Sequence, residues 1–226
     1  MNIGALIVSC GEPQVERCVH SVYKQTIPFA NVKHISDVVP EADAINKGIQ
    51  SMDDEWTMKV DGDFILYENA VDMITRKMKS ESNEGVCGWF FGLYDTFLRC
   101  DIGYASVLRT SVYKGATYQD VLRDDFAMNR YLRRNGWGIK KRKWKIVGTH
   151  FDSPDAFQVF RRFYVQVIKY PHDPFVPERL TTLFMETGDP LYDLGLRARV
   201  YAHGKEYPTS RNLDYDRKLF EEFNRS

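Results

Sequence analysis

The sequence predicts an α/β fold: a largely parallel sheet with helices on both faces, followed by a helical C-terminal appendage. Three observations carry this. Apolar runs of strand length alternate with apolar residues at helical spacing over the first 80 residues. Polar clusters follow the apolar runs, where parallel sheets bind ligands. Beyond residue 150 the strand pattern stops and aromatic residues recur at helical intervals.

Residues 3–8 (Ile-Gly-Ala-Leu-Ile-Val) form a continuous apolar run, as a strand buried on both faces requires. Residues 9–13, Ser-Cys-Gly-Glu-Pro, break it. Val15, Cys18, Val19 and Val22 mark a helix that ends before Pro28, and residues 31–35 form a second strand. Ala42, Ile45, Ile49 and Met52 mark one face of a second helix. Residues 55–60 form a third strand, which ends in Asp61-Gly62-Asp63. Ala70, Val71, Ile74 and Met78 mark a third helix. Crossovers of this length join parallel strands, so Ser9, Glu12, Asp37, Asp61 and Asp63 are expected to converge at one end of the sheet.

The pattern then changes. Residues 85–94 and 97–100 read as a hairpin, and 105–112 as a further strand. Residues 120–134 read as a helix stopped by Asn135-Gly136. Its expected inward stripe is Val121, Asp125, Met128 and Leu132. An acid on such a stripe is costly unless it is paired or faces a cleft, which makes Asp125 either a functional group or half of a structural ion pair. Residues 139–147 form a basic strand leading to His150. Ser153 reads as an N-cap, with Phe157, Phe160, Tyr164 and Val167 or Ile168 on the inward face of the helix it starts. Pro171, Pro174 and Pro177 form a stiff link, and helices are expected near 178–186, 191–202 and 214–224. The expected domains are residues 1–150, split into a nucleotide half (1–80) and an acceptor half (81–150), and an extension at 151–226 that packs on them.

The totals limit the function classes. With 226 residues, 43% hydrophobic and 14% aromatic, the chain can bury a substantial core. Its formal net charge is zero, so no global attraction to nucleic acid or membrane follows. The four cysteines lack C-x-x-C spacing and read as reduced thiols, as in a cytoplasmic protein. The opening apolar run has no basic flank and is too short for a signal peptide or a membrane span. Residues 126–151 contain no acid, but hold Arg130, Arg133, Arg134, Lys140, Lys141, Arg142, Lys143 and Lys145 with Trp137 and Trp144. This stretch is either a solvated edge kept positive or a contact for an anionic acceptor or membrane surface.

Two carboxylates at a strand end suit a hard cation such as Mn²⁺ or Mg²⁺, which shares its shell with substrate phosphates. Gly62 lets a ligand approach the backbone. A second triplet, Asp214-Tyr215-Asp216, lies in a charged C-terminal stretch and reads as a chance occurrence.

The order of several short motifs resembles the family 2 glycosyltransferases of the GT-A fold, which has a Rossmann-like nucleotide-binding sheet. These motifs are residues 5–9 with Arg17-Cys18-Val19-His20-Ser21-Val22 and Gln25-Thr26, then Ala44-Ile45-Asn46-Lys47-Gly48. Asp61-Gly62-Asp63, Arg123-Asp124-Asp125-Phe126 and Asn135-Gly136-Trp137 complete the set. The resemblance implies a metal-dependent, inverting transfer of one sugar from a UDP-, GDP- or dTDP-sugar to an acceptor hydroxyl. The acceptor would be a glycan, a lipid-linked saccharide or a modified DNA base reached through the basic stretch 130–145. It implies Asp61, Asp63 and His150 as metal ligands. Ser9, Glu12, Asp37, Asn46, Asp61 and Trp89 would be substrate contacts. Asp125 would be the general base, with Asp124 the alternative. The first acid of the family's E-D pair is Asp124 here, and the Q-x-x-R-W motif of processive enzymes is absent, which implies one sugar per encounter. It further implies a cytoplasmic enzyme, peripheral to a membrane if the acceptor is lipid-linked. A sugar-nucleotide nucleotidyltransferase is the competing enzyme class, although the loop at residues 9–13 has one Gly and no Lys. A non-catalytic nucleotide- or carbohydrate-binding module is the competing non-enzyme.

Overall fold

The computed structural model describes residues 1–120, 124–151, 154–203, 205, 207–208 and 213–225, and the side chains among them except those of Ile102, Asp124, Lys143 and Leu213. The chain divides into two compact units, Met1–Asp152 and Ser153–Ser226.

The first unit is an α/β layer structure. In chain order it runs β1 (Ile3–Ser9), α1 (Val15–Tyr23), β2 (Val32–Ser36), α2 (Glu41–Ser51), β3 (Trp56–Asp61), β4 (Phe64–Leu66) and α3 (Ala70–Lys79). Then come β5 (Val86–Asp95), β6 (Cys100–Arg109), α4 (Thr110–Lys114), α5 (Asp124–Arg134) and β7 (Gly138–His150). The described strands form one seven-stranded sheet in the order β2-β1-β3-β6-β5-β7-β4. β1 pairs in parallel with β2 and β3, β6 runs antiparallel to both β3 and β5, and β5 and β7 are parallel.

The continuous apolar run of β1 is explained by burial on both faces. Ile3, Ala5 and Ile7 pack with Cys18 and Val22 of α1 and Ala70, Val71, Ile74 and Met78 of α3. Leu6 and Val8 point the other way, into a cluster with Ala42, Ala44, Ile45 and Ile49 of α2 and Met128 and Leu132 of α5. Strand side chains alternate between faces, so both faces need apolar residues and no polar alternation survives.

Several boundaries differ from the sequence expectation. Residues 97–100 are not a separate strand, because the turn between β5 and β6 is tied by Asp95, whose Oδ1 accepts from the Leu98 amide at 2.7 Å. The expected strand at 105–112 ends at Arg109, and Thr110 opens the short helix α4. β4 was not expected; it pairs antiparallel with the end of β7. The stop after α5 is as expected: Gly136 has φ 83° and Trp137 N donates to Leu132 O at 3.1 Å.

The second unit is helical: α6 (Ala156–Lys169), α7 (Phe175–Thr187), α8 (Pro190–Ala202) and α9 (Leu213–Phe223). Ser153, the expected N-cap, lies outside the described residues. Asp155 caps α6, with its side chain on Gln158 N and the Gln158 side chain on Asp155 N. Pro174 and Pro177 are not linker: Pro174 caps α7 and Pro177 lies in its first turn. Phe160 packs against Tyr164, Tyr201, Phe220 and Phe223, which explains the aromatic spacing. Asp216 of the second D-x-D triplet is 1% exposed and sits 2.7 Å from Arg161 Nε, so this triplet contributes a structural ion pair. No described helix is long and apolar enough to cross a membrane.

Candidate active site

The parallel pairing of β1, β2 and β3 brings three loops together. Asp61 is the register partner of Val8, and Ser9 that of Ser36. Gly62 N donates to Val8 O at 2.9 Å and Asp37 N to Ser9 O at 3.1 Å. Glu12 turns back on its own loop, its Oε2 accepting from Cys10 N at 2.7 Å. A Cβ at position 62 would lie 2.6 Å from Glu12 Oε2 and 2.9 Å from Ser9 Cβ, so only glycine fits between the loops. Ser9, Glu12, Asp37 and the Asp61 end of β3 thus converge. Ser9 is buried and its Oγ is 2.8 Å from His34 Nε2, while Asp37 is exposed with φ 58°, a left-handed conformation that Asp tolerates better than most residues.

The two carboxylates of the triplet have different surroundings. Asp61 Oδ1 is 2.8 Å from Lys59 Nζ, which is also 3.5 Å from Glu41 Oε1 of α2. Burial raises the Asp61 pKa to about 6, with Lys59 opposing the rise and Glu41 and Asp63 adding to it. Asp63 instead faces β7. Phe64 is the register partner of His150, and Asp63 Oδ2 lies 3.5 Å from His150 Nε2. That separation is longer than a good hydrogen bond, and both side chains keep 21% of their surface exposed. The other ring nitrogen, Nδ1, is 3.1 Å from Oδ2 of Asp95, which is fully buried at the end of β5.

Among the described residues, no group of three or more His, Cys, Asp or Glu side chains is placed to hold a metal ion. The Asp63–His150 pair offers one oxygen and one nitrogen donor side by side. The carboxylate suits a hard cation such as Mn²⁺ or Mg²⁺ that takes the rest of its shell from a substrate diphosphate and water, and the imidazole nitrogen adds one donor of a softer kind.

The remaining candidates lie elsewhere or are otherwise engaged. Asn46 uses both ends of its amide on Tyr118: Nδ2 donates to the carbonyl at 3.0 Å and Oδ1 accepts from the amide at 2.9 Å. It holds the segment that leads towards α5. Trp89 is 0% exposed, its Nε1 donates to Asn83 Oδ1 at 2.9 Å, and it stacks on Phe91, so it has no surface to offer a ligand. Asp125 does not interrupt a buried stripe: it is exposed in the first turn of α5, while Met128 and Leu132 are buried. Asp125 shares the helical face of Met128 and Leu132, as its spacing requires, but it lies at the N-terminal end of α5 where the packing does not cover it, so no cost of burial arises. The Asp124 side chain and Val121 lie outside the described residues. The basic stretch is partly neutralised from outside itself. Glu81 pairs with Lys77, Lys140 and Arg142, which hold its carboxyl far below the usual range. Arg130, Arg133, Arg134, Lys141, Lys145 and Trp144 are exposed.

Lys59, Glu41, His34 and Asp95 escaped the sequence reading. Lys59 carried a usable signal, a lysine between Met58 and Val60 and two residues before an acid. Asp95 carried none beyond its place in a turn, since its partner is 55 residues away.

No protein-family model matches the chain, and no curated protein is similar to it in sequence. Solved structures are similar. One is Staphylococcus aureus TarS, residues 1–349, with TM-score 0.54 at 10% identity over 90% of this chain and 81% of that one. The same protein in complex with UDP gives 0.53 at 9% identity, over 90% and 81%. The Pyrobaculum calidifontis mannosyltransferase PcManGT, in complex with GDP-Man and Mn²⁺, gives 0.55 at 12% identity over 99% and 79%. At these identities the likeness is one of architecture, and with the sheet order and the helices on both faces it assigns this chain the GT-A fold of glycosyltransferases.

Proposed function

We propose that the chain is a metal-dependent glycosyltransferase that moves one sugar from a nucleoside diphosphate sugar to an acceptor hydroxyl. The observation that carries this is the Asp63–His150 pair, with donor atoms 3.5 Å apart at the ligand end of a GT-A sheet. Asp63 and His150 would hold Mn²⁺ or Mg²⁺ together with the donor diphosphate, with Asp61 beside them. When bound, the ion supplies charge neutralisation for the departing diphosphate. Ser9, Glu12 and Asp37 form the rim for the nucleoside. Lys59 holds Asp61 in place at the end of β3.

Asp125, exposed at the start of α5, takes the proton of the acceptor hydroxyl as general base. The acceptor oxygen attacks the anomeric carbon. The bond from that carbon to the diphosphate oxygen breaks, and its electron pair leaves with the diphosphate. A single displacement of this kind inverts the anomeric centre. The acceptor is a glycan, a lipid-linked saccharide or a modified base in DNA, and the exposed cations near α5 and β7 favour an anionic one.

The test starts with thermal shifts for UDP-, GDP-, CMP- and dTDP-sugars with Mn²⁺, since a ligand of the folded state alone raises its melting point. Hydrolysis of the stabilising sugar nucleotide is then followed in the wild type, Asp63→Ala and His150→Ala. Losing several kcal/mol of charge stabilisation corresponds to a drop of about 10²- to 10³-fold. Stabilisation without turnover would point to a binding module. Release of pyrophosphate from a nucleoside triphosphate and a sugar phosphate would point to a nucleotidyltransferase.

A further inference from the structure

Two contacts of the Asp95 carboxyl group link a turn to His150. Oδ1 accepts from the Leu98 amide at 2.7 Å and ties the turn between β5 and β6. Oδ2 lies 3.1 Å from His150 Nδ1. Strand register sets the second contact: Asp95 and His150 are partners in the β5–β7 pair, next to Tyr94 and Thr149, and Thr96 N donates to His150 O at 3.2 Å. The imidazole therefore stands between a fully buried carboxyl group and the partly exposed one of Asp63.

We propose that Asp95 is a positioning residue that fixes His150 as its Nδ1–H tautomer, so that the Nε2 lone pair is presented on the Asp63 side. The consequence for metal binding rests on the metal-dependent reading above. A neutral imidazole has one N–H donor and one acceptor nitrogen. A carboxylate can only accept, and of the two that flank the ring only that of Asp95, 3.1 Å from Nδ1, is within good hydrogen-bonding distance, against 3.5 Å from Asp63 to Nε2, so Nδ1 carries the hydrogen of the neutral ring. Ligation of a metal needs the other nitrogen unprotonated. The Leu98 turn alone would need only one of the two oxygens. The second is spent on a ring whose far side meets the candidate site.

Asparagine should invert the tautomer. The Leu98 amide is a backbone donor that cannot turn away, so in Asp95→Asn the side-chain oxygen stays on it. The amide NH₂ then faces Nδ1 and can only donate to it, which moves the ring proton to Nε2.

Long-range ¹H–¹⁵N spectra of the ¹⁵N-labelled, metal-free chain at alkaline pH read the tautomer directly. The expected result is Nδ1–H in the wild type and Nε2–H in Asp95→Asn. Mn²⁺ affinity in the presence of UDP, read by electron paramagnetic resonance, should fall about 10- to 100-fold in Asp95→Asn. The double variant with His150→Ala should bind no more weakly than His150→Ala alone. An Nε2–H tautomer in the wild type would overturn the proposal, and this reading needs no variant to fold. An unchanged tautomer or unchanged Mn²⁺ affinity in Asp95→Asn would also overturn it, as would losses that add in the double variant. Failure of the wild type to bind Mn²⁺ at all would overturn the metal reading instead, and the metal-free tautomer would still decide the role of Asp95.

Discussion

Lys59 places its ammonium 2.8 Å from Asp61 Oδ1 in β3, a strand whose residues from Trp56 to Val60 are all buried. The lysine side chain is 5% exposed and the aspartate 33%, so the pair sits at the boundary between core and cleft. Lys59→Met keeps the volume and removes the charge. Breaking a fully buried pair costs about 3–5 kcal/mol, and partial exposure of Asp61 reduces this to about 1–3 kcal/mol. Asp61 has a raised pKa of about 6, so its ionisation opposes folding at neutral pH, and protonating it on acidification relieves that term. The loss in Lys59→Met should therefore be larger at pH 8 than at pH 5 when measured by urea unfolding. An equal loss at both would show that Asp61 is not the group Lys59 serves.

Gly62 is confined between Glu12 and Ser9. Gly62→Ala puts a methyl group 2.6 Å from the Glu12 carboxylate and 2.9 Å from Ser9 Cβ, and the latter belongs to a buried strand end that cannot move aside. Overpacking of this kind costs about 1–3 kcal/mol. Because both neighbours are on the proposed nucleoside rim, sugar-nucleotide affinity should fall as well, checked by calorimetric titration beside a melting curve.

Asp125 sits on the first turn of α5 and is exposed, so replacing it should leave the fold intact. Asp125→Asn is expected to lower transfer by about 10²- to 10⁴-fold, the usual share of general-base catalysis. Nucleotide affinity should stay within about twofold, since the proposed base acts on the acceptor alone. Full activity in this variant, with loss in Asp124→Asn, would move the role to the neighbouring acid.

Cys18 and Cys87 report on the core. Burial, with Asp61, Asp63 and Glu12 nearby, pushes the Cys18 thiol from 9.0 up to about 12, and burial pushes Cys87 up to about 11. Above pH 9 the unfolded chain releases protons that the folded one keeps, so stability falls as pH rises. The slope approaches about 1.4 kcal/mol per pH unit for each thiol. Cys18→Ala should flatten the decline between pH 9 and 10 by up to one such increment, whatever its effect on absolute stability.

The first half of the fold was legible because its determinants are local. Continuous apolar runs and helical spacing specify β1 to α3 without any distant partner, and the loops that follow β1, β2 and β3 must then lie at one end of a parallel sheet. The convergence of Ser9, Glu12, Asp37 and Asp61 follows from that topology. The division of the Asp61-Gly62-Asp63 triplet does not. Asp61 belongs with Lys59 and Glu41, and Asp63 with His150 and Asp95, because strand register alone brings residues 95 and 150 face to face. The extent of packing along α5 decided that Asp125 in its first turn is exposed, and hydrogen bonds to Asn83 and Tyr118 engage Trp89 and Asn46 inside the fold. Local periodicity sets which segments become strands and helices. Which side chains meet across them depends on strand register and on how much of each helix the packing covers, and these are fixed by packing between segments far apart in the chain.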